Sequence, residues 1–277
     1  MKTTTSTDVE WATIAPDKVI VATAEKVWLC SPSTDGDRYT EPMTGTGNIA
    51  TTKKLLDGAM AAAKVTIASS QKPPDSTLNR YVWRLLGAYQ VAHATPILMR
   101  EAGENFAVAA RVDLSNWAYE KAKEETGHDR LALLDIKSLG YRAEELVEAI
   151  IPASAVVLVD YFRRSVQDVD PIDCVGYAHA LERMSLGAKQ EHIDSIEDLL
   201  PVNVNATRCL RVHSSLGADT EHVNENVEMI ARLSPVERTR VIRACYETAL
   251  LLFSPPREGY HSEAELEDMF QPFKLDA

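Results

Sequence analysis

The chain has 277 residues, with 29 Lys and Arg against 41 Asp and Glu and a net charge of −12. Its length allows one or two domains, and 45% hydrophobic with 25% charged residues is the make-up of a folded globular protein rather than a disordered one. The acidic balance argues against a nucleic-acid partner, and no apolar run reaches the roughly eighteen residues a membrane span needs. The N-terminal MKTTTSTDVEWATIAPDK lacks the continuous apolar stretch of a secretory leader, so the cytoplasm is the expected compartment.

Residues 1–52 read as an N-terminal arm and loop. Within them KVIVATAEKVWLC fits either a short strand or a helix, and 31–52 (SPSTDGDRYTEPMTGTGNIATT) is loop-like in its Ser, Thr, Gly, Pro and Asp content. From 53 to 277 the pattern is helical, which predicts a single all-α domain, a helical bundle. Residues 53–70 form an alanine-rich helix stopped at Lys72-Pro73-Pro74. A second helix starts after an Asp75-Ser76 cap and runs to about Ala102, with Pro96 placed to kink it. A third runs from Asp113 or Ser115 to Gly140, a residue suited to the left-handed C-terminal position. AEELVEAII, SAVVLVDYFRRSVQ and IDCVGYAHALERMSLGAKQ follow as helices, and 190–203 is a connector with a helical turn. NATRCLRVHSSLGADTEHVNENVEMIARL reads as one helix containing Gly217. SPVERTRVIRACYETALLLFS and SEAELEDMFQPF complete the chain.

Three places combine imidazole and carboxylate. Glu125 and His128, at i and i+3, lie on one face if the segment is helical, and a metal ion is then within reach of both. Asp219 and His222 repeat the spacing; His213 lies off their face and joins them only if the helix breaks near Gly217. Glu182 shares a helical face with Val175 and Ala178, where a carboxylate needs a partner, while His179 is expected to point outward. Carboxylate oxygen with imidazole nitrogen and no thiolate suits non-haem iron or manganese better than structural zinc. The four cysteines, Cys30, Cys174, Cys209 and Cys245, have no CxxC spacing and read as small buried hydrophobes.

WAYEKAKEETGHDRLALLDIKSLG, GYAHALE and RVHSSLGADTEHV, in that order, resemble segments of the heme-oxygenase-like diiron oxidases of the TenA/PqqC-like superfamily. The resemblance covers roughly residues 75–255 and implies a seven-helix heme-oxygenase-like up-down bundle. It also implies an enzyme, a non-haem iron-dependent oxidase or oxygenase. Its ligands would be Glu125 and His128 from one helix, Glu182 from another, and Asp219, His222 and His213 from a third. His93 is the nearest candidate for the family's earlier ligand, and Glu125, His128 and Glu182 would be catalytic. One or two Fe(II) ions would use O2 on a small organic substrate such as a fatty acid or amino acid. Two departures stand out: Ser215, not a histidine, precedes Asp219 by four, and the early glutamate is absent. The alternatives are a metal-free TenA/PqqC-like enzyme working by His, Glu and Tyr acid–base chemistry on a heterocycle, with Cys174 or Cys209 as a reactive thiol, and a haem-binding protein of the same fold. Arg183, Arg211 and Tyr177 are candidate anchors for a substrate carboxylate. The arm and first helix are suited to a homodimer contact.

Overall fold

Leu78–Val108, the 31-residue helix α2, is the element on which most of the molecule's second half is built. In the computed structural model described here it runs without interruption through Pro96, although a proline removes one backbone donor. Thr77, rather than Asp75 or Ser76, caps it, its hydroxyl accepting from the Arg80 amide at 3.2 Å. The structure describes residues 9–31, 39, 43–45, 47–68, 75–187, 189–214, 220–253 and 261–275, with only the backbone of 220–224. Among these residues the other helices are α1 (Ile49–Ala68), α3 (Val112–Glu124), α4 (Asp129–Ser138), α5 (Ala143–Ala149), α6 (Ala153–Gln167), α7 (Asp173–Ser185), α8 (Gln190–Glu197), α9 (Arg208–Val212), α10 (Thr220–Ala231), α11 (Pro235–Phe253) and α12 (Glu263–Phe270).

The contacts divide the chain into two units. The first comprises Met1–Gln71, Ile172–Arg183 and Asp219–Phe253. The expected split at 52/53 falls inside α1, and the arm expected to be irregular contains an antiparallel sheet of β1 (Glu10–Ala15), β2 (Lys18–Ala22) and β3 (Val27–Cys30), in that order. KVIVA is β-branched and bounded by turn residues, Pro16-Asp17 before it and Thr23 after it, so strand wins over helix. Ile20 pairs with Ala12 and Leu29, and Val19–Ala22 are fully buried, β2 packing on α1 and β1 on α11. Arg238 of α11 is fully buried and donates to Glu10 Oε1 (3.1 Å) and the Leu233 carbonyl (3.2 Å), which ties the helix to the first strand.

The second unit comprises Lys72–Pro171, Met184–Ala218 and Ser254–Ala277. Here α2 packs against α3, α4, α5, α6 and α12, and α4 also against α9. Its core joins Tyr81, Val82, Leu85 and Leu86 of α2 to Ala132 and Ile136 of α4, Leu146 and Val147 of α5, and Leu266 and Phe270 of α12. The apolar faces recur at three- and four-residue spacing, as helices that bury one side require. Gly140 takes the left-handed conformation (φ +84°) expected of it at the end of α4.

Two long predicted helices are each two. The one expected from 113 to 140 breaks at Glu125–His128 into α3 and α4, and the one expected from 205 ends at Val212, α10 starting at Thr220. The connector at 190–203 holds a real helix, α8.

Candidate metal centre

The break between α3 and α4 makes the site. Gly127 has φ +92°, a conformation that side-chain-bearing residues avoid, and it turns the chain sharply after α3. Glu125 is thereby the C-terminal cap of α3 and His128 the residue before α4, not neighbours on a continuous helical face. The turn still brings them together: Glu125 Oε2 and His128 Nδ1 are 2.9 Å apart.

His213 arrives from α9 by a device of its own. Asp135, on the Ala132–Ile136 face of α4 and with its side chain fully buried, accepts the backbone N–H of Arg208 (3.2 Å), that of Cys209 (2.9 Å) and the Arg208 guanidinium (2.9 Å). One carboxylate thus satisfies amides at the start of α9 that no helical carbonyl reaches, and it clamps α9 to α4. Burial pushes the Asp135 acid above its ordinary range, against the pull of these donors. At the other end of the short helix, His213 Nδ1 lies 2.9 Å from the Cys209 carbonyl and Nε2 lies 3.1 Å from His128 Nδ1 and 3.9 Å from Glu125 Oε2.

A carbonyl only accepts, so His213 Nδ1 carries a proton and, in the neutral ring, Nε2 presents its lone pair. Glu125 Oε2, His128 Nδ1 and His213 Nε2 then converge. Their separations of 2.9, 3.1 and 3.9 Å describe a triangle whose corners lie about 2.0 Å from a common point, the length of a metal–nitrogen or metal–carboxylate bond. A single proton on His128 Nδ1 can answer Glu125 or His213, never both. Two histidines and one carboxylate, each about a quarter exposed, leave room for further ligands, and this is the donor set of non-haem Fe(II) oxygenases. Among the described residues this is the one group of three or more such side chains close enough to share an ion.

In the protein alone a proton stands where the cation would. Burial pulls His213 down, but its bonds to Cys209 and Glu125 outweigh that and push it up to about 10. Burial would raise Glu125, yet its bonds to His128 and His213 hold it at about 2.

None of the other predicted ligands whose side chains are described joins this group. His93 stacks on Tyr89 and pairs with Asp129 at 2.9 Å, half-exposed, so it is not a member of this group. Glu182, in the first unit, accepts from Asn226 Nδ2 at 2.7 Å, which supplies the partner its face demanded. Asp219 and the side chain of His222 lie outside the described residues. His179, expected to point outward, is 2% exposed. Arg183 pairs with Asp57 (3.0 Å) and Arg211 with Glu197 (2.6 Å), and Tyr177 is buried. Cys174, Cys209 and Cys245 are buried and outside any disulfide, as their spacing suggested, and Cys30 is partly exposed. Sequence reasoning missed Asp135, although an acid on the face of Ala132 and Ile136 carries the same signal that singled out Glu182.

No family model and no curated protein matches this chain. Among solved structures it is similar to a domain of unknown function with a heme oxygenase-like fold from Shewanella denitrificans, at 17% identity and a TM-score of 0.51, over 78% of this chain and 91% of that one. A TenA homolog from Pseudomonas syringae pv. tomato gives 11% identity and a TM-score of 0.45, over 77% of this chain and 98% of that one. Likeness at such identity speaks for the backbone and not for chemistry. The chain has the heme oxygenase-like fold.

Proposed function

We propose that the chain is an O2-dependent non-haem iron oxidoreductase that holds Fe(II) at Glu125, His128 and His213 and acts on a small organic substrate. The observation that carries this reading is the convergence of three lone-pair atoms on a point at bonding distance from each. Bound iron would supply the oxidative chemistry, and the protein would supply ligand geometry. The Cys209 carbonyl fixes the His213 ring, and Asp135 fixes the helix that carries it, which is how protein groups behind ligands tune a metal. A substrate such as a fatty acid or amino acid is what the sequence resemblance implies.

The test is an anaerobic Fe(II) titration followed by O2 uptake, on the native chain, His213→Ala and His93→Ala. Native chain and His93→Ala should bind the ion alike, and His213→Ala should lose it. Equal titration by native chain and His213→Ala would refute the site, and turnover of a heterocyclic substrate undiminished by a chelator would favour the metal-free enzyme.

A further inference from the structure

Threonines within these helices commonly return their hydroxyls to the carbonyl one turn back, as Thr66 does to Ala62 (2.9 Å), Thr95 to Val91 (2.8 Å) and Thr239 to Pro235 (3.0 Å). Thr248, further along the same helix as Thr239, does not. Its hydroxyl is fully buried and has no hydrogen-bond partner among the described residues. The same is true of both ring nitrogens of His179 on α7, and of Thr51 and Thr52 at the start of α1. All belong to the first unit.

His179 and Thr248 stand on two helices in direct contact. A Cβ on Gly176 would lie 2.2 Å from the Val241 carbonyl, so α7 and α11 touch backbone to backbone one turn before His179. Arg183, one turn after it, reaches Asp57 on α1 at 3.0 Å, and α1 packs along α11. The charges of Asp57 and Arg183 act on both His179 and the buried Cys245 thiol, and Thr248 lies one turn beyond Cys245. The charged groups that act on His179 are Arg183, Asp57 and Lys53, and Asp57 pairs with both of the others (3.0 and 2.6 Å). Burial, with Arg183 beside it, keeps the imidazole neutral near pH 7. Buried polar groups in proteins are met by a partner, protein or otherwise.

We propose that His179 and Thr248 form an internal binding site for a small neutral hydroxylic molecule. A neutral imidazole offers one N–H and one lone pair, and a hydroxyl group answers both. The site is separate from the metal centre and does not rest on it.

The experiment is a titration of the full chain, labelled with 15N-histidine, with ethylene glycol. The His179 resonances, assigned by their loss in His179→Leu, should shift saturably, and the shift should vanish in the near-isosteric Thr248→Val. Melting temperatures with and without glycol, compared between native chain and Thr248→Val, give a second readout if His179→Leu does not fold. A saturable shift retained in Thr248→Val removes Thr248 from the site and overturns the proposal. No saturable shift also overturns it: the interior then holds water alone if His179→Leu is less stable than the native chain, and nothing if it is as stable or more so.

Discussion

Asp135→Asn tests whether the centre is assembled by the clamp on α9. Asp135 Oδ1 accepts the Arg208 amide and guanidinium, and Oδ2 accepts the Cys209 amide. An asparagine keeps one oxygen, and its NH2 must face at least one of these donors in either orientation. The substitution therefore loses a charge-assisted bond, worth about 1.5–3 kcal/mol, and strands a buried N–H, costing about 1–3 kcal/mol. Part of this is returned, because burial already penalises the Asp135 charge and the amide has none to desolvate. The expected net loss is about 2–4 kcal/mol, read as a lower urea midpoint with unchanged slope. Because His213 rides on the same five-residue helix, metal affinity should fall about 10–100-fold, as for other groups that hold a ligand in place. Native metal affinity in a destabilised Asp135→Asn chain would refute the positioning argument, and native stability would refute the accounting of its bonds.

Gly127→Ala places a side chain at φ +92° and should cost about 1–2 kcal/mol in urea denaturation, with weakened metal binding; an unchanged midpoint would show that the turn relaxes freely. The metal-free chain should also show a signed pH dependence. His213 rises from 6.5 to about 10 on folding, so its contribution is complete below pH 6.5 and lost as pH rises through 10. Glu125 falls from 4.5 to about 2, so its contribution is present above pH 4.5 and lost as pH falls through 2. Stability measured by thermal melting should fall on the alkaline side in the native chain and less so in His213→Ala; parallel profiles would contradict the pairing. A divalent ion must displace the His213 proton, so Mn(II) affinity should rise about tenfold per pH unit between roughly pH 6 and 8. A pH-independent affinity would show that no proton is released.

The helical class of this chain was legible because apolar spacing and the breakers Pro73-Pro74, Gly140 and Pro152 are local signals. The pairing of Glu125 with His128 was legible too, although the reason was a different one. Sequence spacing assumed a helix, and a glycine turn brings the two side chains together instead. The strands of residues 18–30 stayed ambiguous because a short apolar run suits helix and strand alike; burial of β2 against α1 chose the strand. Tertiary structure alone decided that His213 joins this pair while His93 turns to Asp129. The first depends on Asp135 gripping amides more than seventy residues away, and the second on a partner beyond one helical turn. Spacing along a chain reports which side chains share a face; which faces meet is set by long-range burial and hydrogen bonding that no local pattern encodes.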